Sequence, residues 1–500
     1  MSAPESLVVE SYAAESYVDV LIIGAGLSGI GAAVHLKDKC PHKSFAIMEQ
    51  QAQLGGTWAL FKYPGIRSDS DMYTLGYNFK PWKNPKAIAD GPAILNYITE
   101  TVNEYGLADE IHYNVKMLSA DWDGARAVWT VKFSGGREMS CNFLYMCSGY
   151  YSYESGHAPD FPGRDDFKGE IVHPQHWTDD IDYADKNVVV IGSGATSVTL
   201  IPSLAKTANK VTMLQRSPTY MGVKPSTDGF ANLLKKILPD RTAYRLIRKK
   251  NIFWNRVEYN FTRKHPQTAK KKLLKMVKKA LGPDYPSYDP DFMPRYNPWD
   301  QRVCLVPDGD MFDAMKAGKA EVVTDTIETF DASGIKLASG RHLSADLIVT
   351  ATGLELELLG GARFTMGGVP IDFAQTYSYE GMMFSGVPNM ASVFGYINAS
   401  WTLRADLISE YTCRLLNHMD QTGHSIAMPV APEGMTPRPW IDFEAGYLKR
   451  ASHKLPKQGD FAPWLNLHNY ARDKKLFPVK PIDDGVMQFS RPDVLAQAAE

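Results

Sequence analysis

The stretch Val18-Asp19-Val20-Leu21-Ile22-Ile23-Gly24-Ala25-Gly26-Leu27-Ser28-Gly29 reads as a buried strand running into a glycine turn and a helix. Gly24 permits the tight turn, Gly26 lets a pyrophosphate come up to the backbone, and Gly29 lets the helix pack close on the strand. The helix N-terminus then presents free N–H groups and a partial positive charge to phosphates. The next strand, Ser44 to Met48, ends at Glu49. A carboxylate there accepts hydrogen bonds from ribose hydroxyls and repels a 2′-phosphate, so this unit is expected to hold an unphosphorylated adenosine, as in FAD or NAD. Leu54-Gly55-Gly56-Thr57-Trp58 follows, where the glycine pair allows a second close backbone approach.

A second unit repeats the pattern. Val188-Val189-Val190-Ile191 leads into Gly192-Ser193-Gly194-Ala195-Thr196-Ser197, with Ser197 in place of the third glycine. The following strand, Val211 to Leu214, ends in Gln215-Arg216-Ser217, with no acidic residue at the ribose position. Arg216 can pair with a 2′-phosphate through charge-assisted hydrogen bonds, which favours NADPH over NADH. Two such units in one chain suit a flavin and the nicotinamide that reduces it.

Composition sets the frame. Five hundred residues exceed one compact core. A hydrophobic content of 44% and a charged content of 22% are those of a globular enzyme, and a net charge of −2 gives no reason to expect a nucleic-acid partner. Met1 to Tyr17 lacks a basic region followed by an apolar one, so no secretory leader is expected. No apolar run approaches the roughly 18 residues of a membrane span. Cys40, Cys141, Cys147, Cys304 and Cys413 are scattered, without a C-x-x-C, which fits a reduced cytoplasmic setting with neither structural disulfides nor a bound metal. A two-nucleotide disulfide reductase needs a redox cysteine pair just after the first unit, and none stands between Cys40 and Cys141.

Between the two units, Phe167-Lys168-Gly169-Glu170-Ile171-Val172-His173-Pro174-Gln175-His176-Trp177 fits F-x-G-x-x-x-H-x-x-x-W. With that motif, the two fingerprints and the closing Ala351-Thr352-Gly353, nearly the whole chain resembles the Baeyer–Villiger monooxygenases of the flavin-containing monooxygenase superfamily. The runs Tyr63 to Tyr73, Asn297 to Arg302 and Ser400 to Asp406 most resemble their mycobacterial ethionamide-activating subgroup. The motif departs from the family form at Thr178, where proline or aspartate is usual, with little consequence expected.

The resemblance implies an α/β fold of two Rossmann-like dinucleotide-binding domains, for FAD and NADP, with an inserted helical subdomain. It divides the chain into an FAD part at 1–147, an NADP part at 148–218, a helical insertion at 219–299, a second NADP part at 300–353 and a second FAD part at 354–500. It implies an NADPH- and oxygen-dependent enzyme that works through a C4a-peroxyflavin. Ketones would become esters or lactones, and sulfides would become sulfoxides. The alternative is an oxygenase selective for sulfur or nitrogen.

Site residues follow from the resemblance. Arg302 matches the active-site arginine, a fixed cation beside the reacting oxygen, and Asp69 the carboxylate that pairs with it. Gly24, Gly26, Gly29, Glu49, Gly56, Thr57, Trp58, Asp69 and Val115 are expected on FAD. Gly192, Gly194, Thr196, Ser197, Arg216, Ser217, Gln301 and Arg302 are expected on NADP, with Trp401 and Asn398 closing over the nicotinamide. Gln301 stands where many relatives have lysine, which shifts recognition of NADP toward Arg216. His173, with Gly169 and Trp177, would couple movement of the two domains.

Residues 241–280 hold fourteen Lys or Arg against one acidic residue, Glu258. Leu273, Met276 and Val277 share a helical face that can pack inward, so a solvated helical surface is the preferred reading. Weak contact with a membrane surface is the alternative. Strand-like sequence is expected to resume near 321.

Overall fold

A computed structural model describes residues 16–283, 285–286, 288–442 and 446–492. The N-terminal stretch read for a leader lies, up to Glu15, outside the described residues.

Two sheets organise the chain. In the first, the strand Ser16–Ile23 is central and pairs in parallel with Phe45–Met48 on one side and Glu138–Met146 on the other. Val128–Phe133 and Met117–Asp123 continue the sheet as antiparallel neighbours. Two later strands return to it: Arg363–Met366 beside Met117–Asp123, and Met390–Ser392 beside Glu138–Met146. The second sheet has five parallel strands in the order Ala320–Thr324, Lys210–Gln215, Asn187–Ile191, Leu347–Thr350, Glu170–Val172.

The central strands are apolar throughout because both faces are covered. In the second sheet Val188 and Val190 point into one core cluster, while Val189 and Ile191 point into another. In the first, Val20 and Ile22 pack under the helix Leu27–Lys39, and Leu21 and Ile23 pack against Trp122 and Trp129 on the opposite face. This is the period-2 alternation of a strand with a core on each side.

Both fingerprint turns leave the carboxyl ends of central strands, where open α/β sheets bind ligands. Gly24 has φ +105°, and a Cβ on it would lie 2.6 Å from the Cys147 carbonyl oxygen, so no other residue fits the turn. Gly192 has φ +132° and abuts the Ala351 carbonyl in the same manner.

Between the sheets' later strands, three helices span Gly229–Ile237, Asp240–Lys264 and Pro266–Leu281. Here two expectations need correction. The segment 219–299 is not wholly helical, because Tyr220–Lys224 is a strand. Its partner is Val303–Pro307, in parallel, so strand structure resumes well before 321. Val277 is buried, and Leu273 and Met276 are half-buried, on the inward face of the third helix. Among the described residues no helix is long and apolar enough to cross a membrane.

Candidate active site

A cavity of about 360 Å³ opens at the carboxyl edge of the first sheet, and the second fingerprint helix forms part of its wall. It gathers Gly24, Gly26, Glu49, Gly56, Thr57, Trp58, Asp69, Val115, Thr196, Arg302 and Trp401. Gly29, Gly192, Gly194, Ser197, Arg216, Ser217, Gln301 and Asn398 do not line it, nor do Gly169, His173 and Trp177.

The first fingerprint builds the deep end. Glu49 is 2% exposed, and its carboxylate accepts the Ala25 and Gln51 backbone N–H groups, each at 2.8 Å. Burial raises its pKa, against the pull of those N–H bonds. Its own carbonyl accepts the Val115 N–H at 2.9 Å, which brings Val115 to the wall. Gly26 and Gly56 lie backbone to backbone. A Cβ on Gly26 would stand 3.5 Å from the Gly56 Cα, so side chains here would fill the cradle. Thr57 Oγ1 is 2.6 Å from the Tyr151 hydroxyl.

At the other end Arg302 and Asp69 meet, 233 positions apart in the chain. An Arg302 guanidinium nitrogen lies 2.5 Å from Asp69 Oδ2, and both side chains are partly exposed. The loop carrying Asp69 is pinned on several sides. Gly65, at φ +79°, lies against Ser203 of the second fingerprint helix, Ala195–Leu204. Arg67 pairs with Asp310. Asp71 caps the short helix Met72–Leu75 and accepts Asn251 Nδ2 at 2.8 Å. On the Arg302 side, Arg263 donates to Asp300 at 2.5 Å.

The long helix Trp401–Thr422 closes the flank. Trp401 Nε1 donates to Ser28 Oγ of the first fingerprint at 2.8 Å, and its ring stacks on Tyr150 with centroids 5.3 Å apart. Trp401 is thus a packing residue and a cavity-lining one at once. Tyr150, Tyr151 and Tyr153 also line the cavity and were not anticipated. Their signal is the aromatic run directly after the Cys147-Ser148-Gly149 turn. Cys147, the one cysteine lining the cavity among the described residues, has its thiol pKa pushed far up by burial, so it is no redox nucleophile.

The second fingerprint presents a separate edge. Thr196 reaches the cavity and shares a hydrogen bond with Tyr63. Ser197 Oγ is fully buried with no partner among the described residues. A Cβ on Gly194 would meet nothing within 4 Å, so backbone there is open to a ligand. Arg216 and Ser217 are exposed just past the strand Lys210–Gln215. Gln301 is half-buried and bridges to Pro298.

The linker histidine is tied down. His173 Nδ1 accepts the Gln175 N–H at 3.2 Å, which leaves Nε2 to donate to the Gly353 carbonyl at 3.3 Å. Burial lowers its pKa and keeps it neutral. Gly169 immediately precedes the edge strand, where a side chain would strike the Asp346 carbonyl, and Trp177 is buried against Tyr183.

The chain is similar to known proteins in sequence and in fold. Residues 21–229 match the family described as pyridine nucleotide-disulphide oxidoreductase. The chain is 51% identical over 480 residues to the FAD-containing monooxygenase EthA of Mycobacterium tuberculosis, covering 95% of this chain and 98% of that one. It is 46% identical over 487 residues to the probable FAD-binding monooxygenase AlmA of Acinetobacter baylyi, covering 95% and 97%. Among solved structures it shares its fold with an NADP-bound steroid monooxygenase (TM-score 0.76, 21% identity, 95% and 100% covered). An open cyclohexanone monooxygenase structure is similar in the same sense (TM-score 0.75, 20% identity, 95% and 99% covered).

Proposed function

We propose, from the premise that this chain belongs to the FAD-containing monooxygenases of the flavin-containing monooxygenase superfamily, that it transfers one atom of dioxygen to a ketone or a sulfide with NADPH as reductant. The products would be an ester or lactone from the ketone and a sulfoxide from the sulfide. Flavin-dependent monooxygenase is the class its relatives establish; the substrate pair and the residue roles are our reading. It is carried by one observation: Arg302 and Asp69 meet at the mouth of a cavity whose floor is a dinucleotide fingerprint.

The residues present fit FAD. Gly24, Gly26 and Gly56 form a cradle without side chains, Glu49 would hold the ribose, and Thr57, Trp58 and Val115 would flank the cofactor. They also fit NADPH. Gly192, Gly194 and the orphaned Ser197 hydroxyl would receive the pyrophosphate, Arg216 and Ser217 the 2′-phosphate, and Gln301 and Thr196 the remainder. When bound, FAD supplies the redox chemistry, accepting hydride from NADPH and activating dioxygen.

The chain's own residues do the rest. Arg302 stays protonated at any working pH and offers planar donors to negative charge developing on oxygen. Asp69 orients the guanidinium and offsets part of its charge. Trp401 and Tyr150 wall the site and exclude water, which separates oxygenation from wasteful peroxide release. His173 ties the end of the edge strand Glu170–Val172 to Gly353, just past its neighbour Leu347–Thr350.

The test is to follow NADPH oxidation by the FAD-loaded enzyme with a linear ketone and an aryl sulfide and to identify products by mass. Ester together with sulfoxide is expected. Sulfoxide without ester from several ketones would overturn the ketone half and leave a heteroatom-selective oxygenase. Arg302→Ala should lower ester formation at least about 100-fold while flavin reduction persists. Unchanged ester yield would remove Arg302 from its assigned role.

A further inference from the structure

Half of the large apolar side chains that are exposed among the described residues fall between positions 230 and 261. They sit on two adjoining helices. On Gly229–Ile237, Phe230, Leu233 and Ile237 recur at i, i+3 and i+7, on the arc next to the one where Ala231 and Leu234 pack inward. On Asp240–Lys264, Leu246, Phe253, Trp254, Val257 and Phe261 fall within an arc of about 100° at 3.6 residues per turn. The buried Tyr244, Ile247 and Arg248 of that helix fall on the adjoining arc, and buried Ala243 in its first turn lies under the exposed one.

The two stripes are one patch. Lys250, which lies within the arc of the longer helix, places its ammonium 4.9 Å from the centre of the Phe230 ring and pairs with Asp228 at 2.5 Å. Beside the apolar arc, Arg245, Lys249 and Arg256 form an exposed cationic strip. The single carboxylate of the longer helix beyond its first residue, Glu258, is neutralised by Lys224 at 2.8 Å.

We infer that this patch docks the enzyme on an anionic lipid bilayer, with the aromatic side chains at the acyl boundary and the cations among the headgroups. Exposed phenylalanine and tryptophan beside arginine and lysine are the composition of a helix lying in a membrane interface. A second copy of the chain is the poorer occupant, since a two-fold contact of this patch with itself would set its cations face to face. With no membrane-spanning helix described, the contact is peripheral. On this proposal the solvated surface of 241–280 is that of the third helix, and the second is the docking face.

The experiment is sedimentation of the FAD-loaded protein with vesicles of phosphatidylcholine, with and without phosphatidylglycerol. Binding is expected only to the anionic vesicles and is expected to fall as sodium chloride rises. Phe253→Ser combined with Trp254→Ser should abolish it. Arg245→Glu and Lys249→Glu should each weaken it by about five-fold or more. NADPH consumption without vesicles should stay unchanged in every variant. No binding by the wild-type chain, binding indifferent to salt, or binding that survives both sets of substitutions would overturn the inference. So would an apolar variant that turns an oligomer into a monomer on a sizing column, which would make a second copy the occupant. The assay needs neither reductant nor substrate, so its failure leaves the oxygenase reading standing.

Discussion

At the scale of single residues, Glu49 holds the fold at the spot where the proposed function places the FAD ribose. Its two oxygens hold the glycine turn through Ala25 and the following loop through Gln51. Glu49→Gln would turn an amide NH₂ toward one of those N–H donors, a mismatch of about 1–3 kcal/mol. The melting temperature should fall and FAD should dissociate more readily, read by thermal unfolding and retained flavin absorbance. Arg216 has the simpler task. Arg216→Ala should raise KM for NADPH by about 10-fold or more and leave KM for NADH nearly unchanged, since a charge-assisted bond contributes about 1.5–3 kcal/mol. An equal rise for both would place Arg216 away from the 2′-phosphate.

His468 carries a pH dependence. It is buried at φ +47° against Tyr396, which lines the cavity, and burial beside Arg404 pushes its pKa down to about 3. A histidine depressed in the fold is stabilising above its unfolded value near 6.5, and that contribution is lost as pH falls toward about 3. The loss is on the order of 5 kcal/mol. His468→Phe should flatten the acid side of the stability profile, measured by denaturant unfolding between those pH values.

At the scale of elements, the helix Asp240–Lys264 braces both halves of the Arg302–Asp69 pair. Arg248 donates to the carbonyls of Tyr73 and Gly76 at 2.9 and 2.7 Å, Asn251 to Asp71, and Arg263 to Asp300. Loosening it by Asn251→Ala with Arg263→Ala should leave NADPH consumption in place and raise the share of electrons that end as hydrogen peroxide. An unchanged peroxide share would show that the pair needs no such brace. These contacts were not legible in the sequence, because partners 37 to 180 positions apart are set by topology alone. The glycine turns were legible, because Gly24 and Gly192 answer a local demand for positive φ. Tyr220–Lys224 fell between these cases. Five residues after a Ser-Pro pair carry no strand pattern of their own, and they become a strand through Val303–Pro307. The Arg302–Asp69 pairing was reached only through family resemblance, since nothing local marks either residue.

At the scale of the whole molecule, the first fingerprint and the helix of the second line one cavity, and the helix Trp401–Thr422 latches onto the first fingerprint through Trp401 and Ser28. On the proposed reading, the arrangement would bring reductant, flavin and Arg302 together while walls of tyrosine and tryptophan limit water. Its direct test is turnover under ¹⁸O₂ with NADPH and a ketone or sulfide, with mass analysis of the product. One labelled oxygen atom per product molecule is predicted, and that signal should vanish in Arg302→Ala for the ketone while flavin reduction continues. Unlabelled product, or NADPH consumption that yields only peroxide with every ketone and sulfide offered, would contradict it.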